Sequence, residues 1–159
     1  MRQLMILEVS QKQAYIFEST KLRDNVERSE EICWVTDPDY FKAVAERSGL
    51  VFDKEKNLVY SGGGHTVLEF ADKESAKKFA YAVSARVRRE FPELEYFIKI
   101  VDYDENLKPA ENLFHLSHEL EKKKSVRVAS FHQGSFGVEE KDTDLRRAKV
   151  QVKVPDRIP

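Results

Sequence analysis

The chain has 159 residues, enough for one compact domain with a real core and no need of disulfide or metal staples. Its 27 basic and 28 acidic side chains nearly cancel, so no global field draws it to nucleic acid or to an anionic membrane, and any anion binding has to be local. The single cysteine, Cys33, excludes an internal disulfide and any multi-cysteine zinc site and fits a reducing cytoplasm, the expected compartment.

Residues 4–9 are apolar at nearly every position, which predicts a central strand covered on both faces; so short a run is also compatible with a buried helix. The apolar stretch 4–7, closed by Glu8, is too short for a signal or membrane segment. Residues 11–34 turn helical, with Tyr15, Phe17, Leu22, Val26 and Ile32 as expected apolar anchors and an irregularity near Ser19 and Thr20. Asp37 followed by Pro38 starts a second helix, because aspartate caps free amides and proline suits the first helical position. Tyr40, Phe41, Val44 and Ala45 supply its apolar face and Gly49 its end.

Residues 57–60 and 66–70 read as two strands of a hairpin around Ser61, Gly62, Gly63 and Gly64. Residues 72–91 hold the clearest helix, with Asp72 or Ser75 as its cap, Ala76, Phe79, Ala80, Val83 and Val87 at helical spacing, and Pro92 as its stop. A fourth strand is expected over 96–101 and a further amphipathic helix over 110–123 through Leu113, Leu116 and Leu120. Residues 149–154 alternate as a strand does.

This order predicts an α+β fold, the ferredoxin-like or palm βαββαβ, with an antiparallel sheet and helices on one face, followed by a C-terminal helix and an extended tail. Residues 1–123 are the expected palm-like domain and 124–159 a C-terminal extension packed on or extending from it. With the first and third strands antiparallel at the centre, Glu8 and Ser10 fall close to Gly63, Gly64 and His65. Palm-type nucleotidyl transferases and cyclases hold two metal ions at this place, on carboxylates of the first strand and the turn.

The segment "LEVSQKQAYIFESTKLRDNVERSEEI" resembles the start of the palm domain in the large subunit of type III CRISPR effector complexes. The matching positions are Glu8, Val9, Ser10, Gln13, Tyr15, Ile16 and Phe17, then Lys21, Leu22, Arg23 and Ser29, and "YSGGGH" falls where that family carries a Gly-Gly-Asp-Asp hairpin. "HELEKKKSVRVASFHQGSFGVEE" is similar to the segment that succeeds the palm in these proteins, so the resemblance covers roughly residues 4–140. It implies oligoadenylate synthesis from ATP with magnesium held by hairpin carboxylates, and palms that work in facing pairs.

The departures from that pattern change the expected chemistry. Gly64 has no side chain, His65 is a nitrogen ligand unsuited to magnesium, and Glu8 alone cannot hold two hard cations. Asp102 and Asp104 belong at the opposite sheet edge, whereas Glu95 is nearer. The glycines Gly62, Gly63 and Gly64 can still let backbone amides approach a phosphate. The resemblance adds Ser10, Ser29, Lys21 and Arg23 to a nucleotide pocket with Glu8 and His65. Against this stands the plain alternative that the glycines only make the turn and that Ser29, Lys21 and Arg23 are ordinary solvated groups.

His115 and His118 share a helix face but lack a third ligand, so no metal site is assigned. Tyr15, Phe17, Phe79 and Tyr81 are expected in the core or at its edge rather than as a base-stacking platform, and the lysines at 122–124 read as a solvated helix end rather than a nucleic-acid patch. The favoured expectation is a catalytically silent palm in antiviral defence, a homodimer or partner of another palm, with ATP or a cyclic oligonucleotide as possible ligand. A structural palm without ligand, and a divergent cyclase or nucleotidyl transferase using Glu8 with magnesium, stay open as alternatives. So does the question of a whole chain or a cut-out, the ending "VKVPDRIP" favouring truncation because no helix or strand closes it.

Overall fold

The computed structural model describes residues 1–131, 141–142 and 147–148, with the side chains of 1–125. Met1–Lys124 forms one compact unit, and Ser125–Pro159 is a second. In the first unit the chain runs β1 (Gln3–Val9), α1 (Lys12–Ile16), α2 (Leu22–Val35), α3 (Pro38–Ser48), α4 (Lys54–Asn57), β2 (Leu58–Gly62), β3 (His65–Phe70), α5 (Lys73–Glu90) and β4 (Tyr96–Asp102). The helix α6 (Pro109–Phe131) comes next, and the short strands β5 (Lys141–Asp142) and β6 (Arg147–Ala148) pair antiparallel. The strand expected over 149–154 and the end of the similar tail segment lie outside the described residues.

The four strands of the first unit form one sheet in the order β2-β3-β1-β4, with β1 antiparallel to both of its neighbours. This is the expected βαββαβ palm arrangement. The unbroken apolar run of β1 has a direct cause in the two-sided burial of the sheet. Met5, Leu7 and Val9 join Ile32, Val35, Phe41, Phe79 and Val83 on the face covered by α1, α2, α3 and α5. Leu4 and Ile6 face the other way, with Val67, Phe97 and Val101, against Leu116 and Leu120 of α6. The C-terminal helix is therefore a second layer on the sheet's other face.

Several local expectations are met for their stated reasons. The Asp37 carboxylate accepts a hydrogen bond from the Asp39 amide with Pro38 in the first turn, and Gly49, in the left-handed conformation, ends α3. Asp72 caps α5 through the Ser75 amide, and Ala76, Phe79, Val83 and Val87 are its buried stripe. Others are not met. The helical stretch expected over 11–34 is two helices, α1 and α2; the break between them takes in Ser19 and Thr20, where the sequence places an irregularity, but the apolar positions on either side do not share one face. Tyr15 and Ile32 are buried, but Phe17, Leu22 and Val26 are exposed, and so is Tyr81 on the outer side of α5. The single turn α4 precedes the hairpin, capped by Asp53 through the Glu55 amide.

Candidate functional site

The site forms where β1 ends against the β2–β3 hairpin. Glu8 pairs in register with His65, and the Val9 amide donates to the Gly64 carbonyl at 2.9 Å. On the other side the Ser10 amide donates to the Glu95 carbonyl at 2.9 Å, so Glu95 does stand at this edge. Asp102 pairs with Gln3 at the far end of β1, as the strand directions require. The turn itself is tighter than the sequence indicated: Ser61 and Gly62 belong to β2, leaving Gly63 and Gly64 between the strands. Both have positive φ, 63° and 82°, the condition for a two-residue turn that matches strand twist.

The chain leaves β1 through a residue without any signature in the sequence pattern. Gln11 adopts the left-handed conformation, with φ of 51°, which is uncommon without glycine. It swings the chain abruptly out of β1 into α1. Lys12, the first residue of that helix, reaches the hairpin and donates from Nζ to the Gly63 carbonyl at 2.7 Å. A β-carbon at Gly64 would lie 2.8 Å from Lys12 Cδ and 2.9 Å from its Nζ. The lysine fills the space beside Gly64 that a side chain at that position would need.

A second lysine engages the carboxylate. Glu8 lies on the α6 side of the sheet, and Lys124 of α6 donates to its Oε2 at 2.6 Å, both side chains about a quarter exposed. Lys124 also pairs with Glu121 at 3.2 Å. Partial burial opposes the lysine's charge, but the hydrogen bonds and charges of Glu8 and Glu121 outweigh it and raise the ammonium's pKa above the ordinary value. The lysine stretch at 122–124 is thus not a merely solvated helix end: Lys124 locks the site carboxylate and Lys123 donates to the Ile98 carbonyl.

His65 is half-buried, its ring tilted against Tyr60 with centroids 5.2 Å apart. Ser61 and Thr66 both donate their hydroxyls to the Thr36 carbonyl at the end of α2, at 2.8 and 2.5 Å. Glu8, Ser10, Gly62, Gly63, Gly64 and His65 therefore come together. Lys21, Arg23 and Ser29 are exposed on α2 and its cap, with Arg23 paired to Glu27 one turn on, and no hydrogen bond or ion pair among the described residues joins them to the hairpin.

Tested as a divalent metal centre, the donor set fits poorly. Glu8 is held by an ammonium, the turn offers backbone and an imidazole, and no group of three His, Cys, Asp or Glu side chains among the described residues could hold a metal ion. Nor, among them, is any helix long and apolar enough to cross a membrane.

The fold and this strand-end site define a palm domain. No protein-family model matches the sequence, and no curated protein matches it either. Solved structures do match. The apo Csm1-Csm4 cassette aligns at 22% identity over 80% of this chain and 19% of its own, with a TM-score of 0.61. Csm1 of T.onnurineus aligns at 23% identity over 77% of this chain and 19% of its own, TM-score 0.57. A Csm1-Csm4 cassette in complex with cA4 gives 19% identity over 86% and 20%, TM-score 0.58. This chain has the palm fold found in Csm1, and it spans about a fifth of the length of the chains it matches.

Proposed function

We propose that this chain is a nucleotide-binding palm subunit of a type III CRISPR-related defence system, acting in the cytoplasm without metal-dependent synthesis. One observation carries the reading: at the strand-end site the charged group on the glycine turn is the ammonium of Lys12, and the one carboxylate of β1 is held by Lys124. An ammonium has three donors, and the one bond of Lys12 to the Gly63 carbonyl leaves others to receive a phosphate, whereas two-metal catalysis needs several free oxygen ligands. Structures of the Csm1-Csm4 cassette with AMPPNP and with cA4 support an adenine nucleotide or cyclic oligoadenylate as the ligand class. The same likeness supports assembly with a protein partner, another palm or a second copy.

The test is calorimetric titration with ATP and with cA4, each with and without magnesium, and then chromatography for oligoadenylate products. Micromolar binding that needs no magnesium, weakens at least tenfold in Lys12→Ala and yields no product is the expected result. Product formation abolished in Glu8→Gln would establish a divergent cyclase instead. Absence of binding would leave a structural palm, and sedimentation would then show whether it pairs with itself.

A further inference from the structure

The outer faces of α3 and α5 enclose an open cavity of about 690 Å³, away from the hairpin. Its lining includes the apolar Leu50, Ala82 and Ala85 and the cationic Arg47, Lys77, Lys78, Arg86 and Arg89. No acidic residue lines it, although the whole chain has a net charge of −1. Lys78 and Arg86 are partly neutralised by Glu74 and Glu90 one turn away on α5. Arg47, Lys77 and Arg89 are in no salt bridge among the described residues. Tyr81 also lines the groove, 80% exposed, an aromatic ring that the core does not use.

The spacing suits a linear polyanion. Residues 77, 78, 81, 82, 85, 86 and 89 recur at one-turn intervals and lie along one stripe of α5. From 77 to 89 that stripe runs roughly 18 Å at 1.5 Å per residue, long enough to follow several phosphates of an extended strand. Cations that track a backbone on either side of an exposed aromatic ring make the arrangement that holds unpaired bases: charge binds the phosphates and the ring stacks on a base. A duplex would leave the tyrosine without a base face to stack on, and an acidic peptide would not use it as a platform. We infer that the α3–α5 groove binds single-stranded nucleic acid without sequence preference, through Arg47, Lys77 and Arg89 on phosphates and Tyr81 on a base.

Fluorescence anisotropy with a labelled ten-nucleotide oligouridine, using the full chain at low and physiological salt, tests this. The expected result is salt-sensitive binding that falls at least tenfold in Lys77→Glu combined with Arg89→Glu, and about tenfold in Tyr81→Ala. These are surface positions, and an unchanged circular-dichroism melt would show that the variants stay folded. Lys12→Ala should leave oligouridine binding intact, and the groove variants should leave ATP binding intact, so the two sites can fail separately. No binding at low salt, no effect of the groove variants, or equal affinity for a duplex of the same length would overturn the inference. Binding of polyglutamate as tight as oligouridine, with Tyr81→Ala silent, would overturn it in favour of an acidic protein partner.

Discussion

At Gly64 the left-handed backbone and the proximity of Lys12 make two separate demands. Adding a methyl group meets only the flexible end of the lysine, which can swing away, so the cost is mostly conformational. Gly64→Ala should therefore lower stability by about 1 kcal/mol in urea denaturation, and a neutral outcome would show that the turn relaxes. Lys124 illustrates a different dependence. Lys124→Met leaves Glu8 without its ammonium, for an expected loss of roughly 1 kcal/mol in the same assay, and Glu8→Gln in that background should restore part of it. If the double variant is no better than Lys124→Met, the pair is not coupled. Neither lysine was legible as a site residue. Lys12 acts on a backbone carbonyl, which has no sequence signature, and Lys124 meets a partner 116 positions earlier.

At the scale of elements, caps and stripes were readable because they depend on neighbours within one turn. Asp72 shows this chemistry: the Ser75 amide and hydroxyl favour its ionised form and hold its pKa below the ordinary 3.8. Since the folded value is the lower one, the cap contributes stability above pH 3.8 that is lost as the pH falls through the folded value. The stability difference between wild type and Asp72→Asn should accordingly shrink on acidification; a difference constant in pH would mean that the carboxylate's charge is irrelevant. The anchors Phe17, Leu22 and Val26 fail for an equally physical reason. Their spacing fits a continuous helix, and the break between α1 and α2 rotates those positions away from the core. Tyr81 sits beside Ala80 on α5, and the half-buried alanine marks the edge of the stripe beyond which the ring turns outward. The basic groove is hidden in the sequence because its cations come from two helices rather than one run.

At the scale of the whole unit, one sheet carries two cores, and β1 contributes alternate residues to each. A cavity made on one side should therefore destabilise the other. Leu116→Ala, on the face of α6 that packs against the sheet, should cost roughly 2–5 kcal/mol. Trp34, the single tryptophan, packs edge-on against Tyr40 in the layer beyond the opposite face, with centroids 5.5 Å apart. Its fluorescence transition should shift to lower denaturant together with the circular-dichroism transition. Were Trp34 to unfold as in wild type, the two layers would be independent. The palm topology itself was legible from the order of elements, because right-handed crossovers leave few ways to arrange four strands and two long helices. What order could not convey was that the last helix closes the second face, since amphipathicity names a buried stripe but not what it lies on.

Thr36 gives the hairpin a mechanical connection. Its carbonyl receives the Ser61 and Thr66 hydroxyls, while its own hydroxyl turns back onto the Ile32 carbonyl. Any strand displacement at the glycine turn is thus pulled directly onto the terminal winding of α2, as a load on a rope is felt at its anchor. ATP seated at the turn should change amide hydrogen exchange at Val35 and Thr36, and Thr66→Val should mute that response while ATP still binds. Equal responses in both proteins would mean that the anchor carries no load. Occupancy of the turn would in this way be read at the end of one helix.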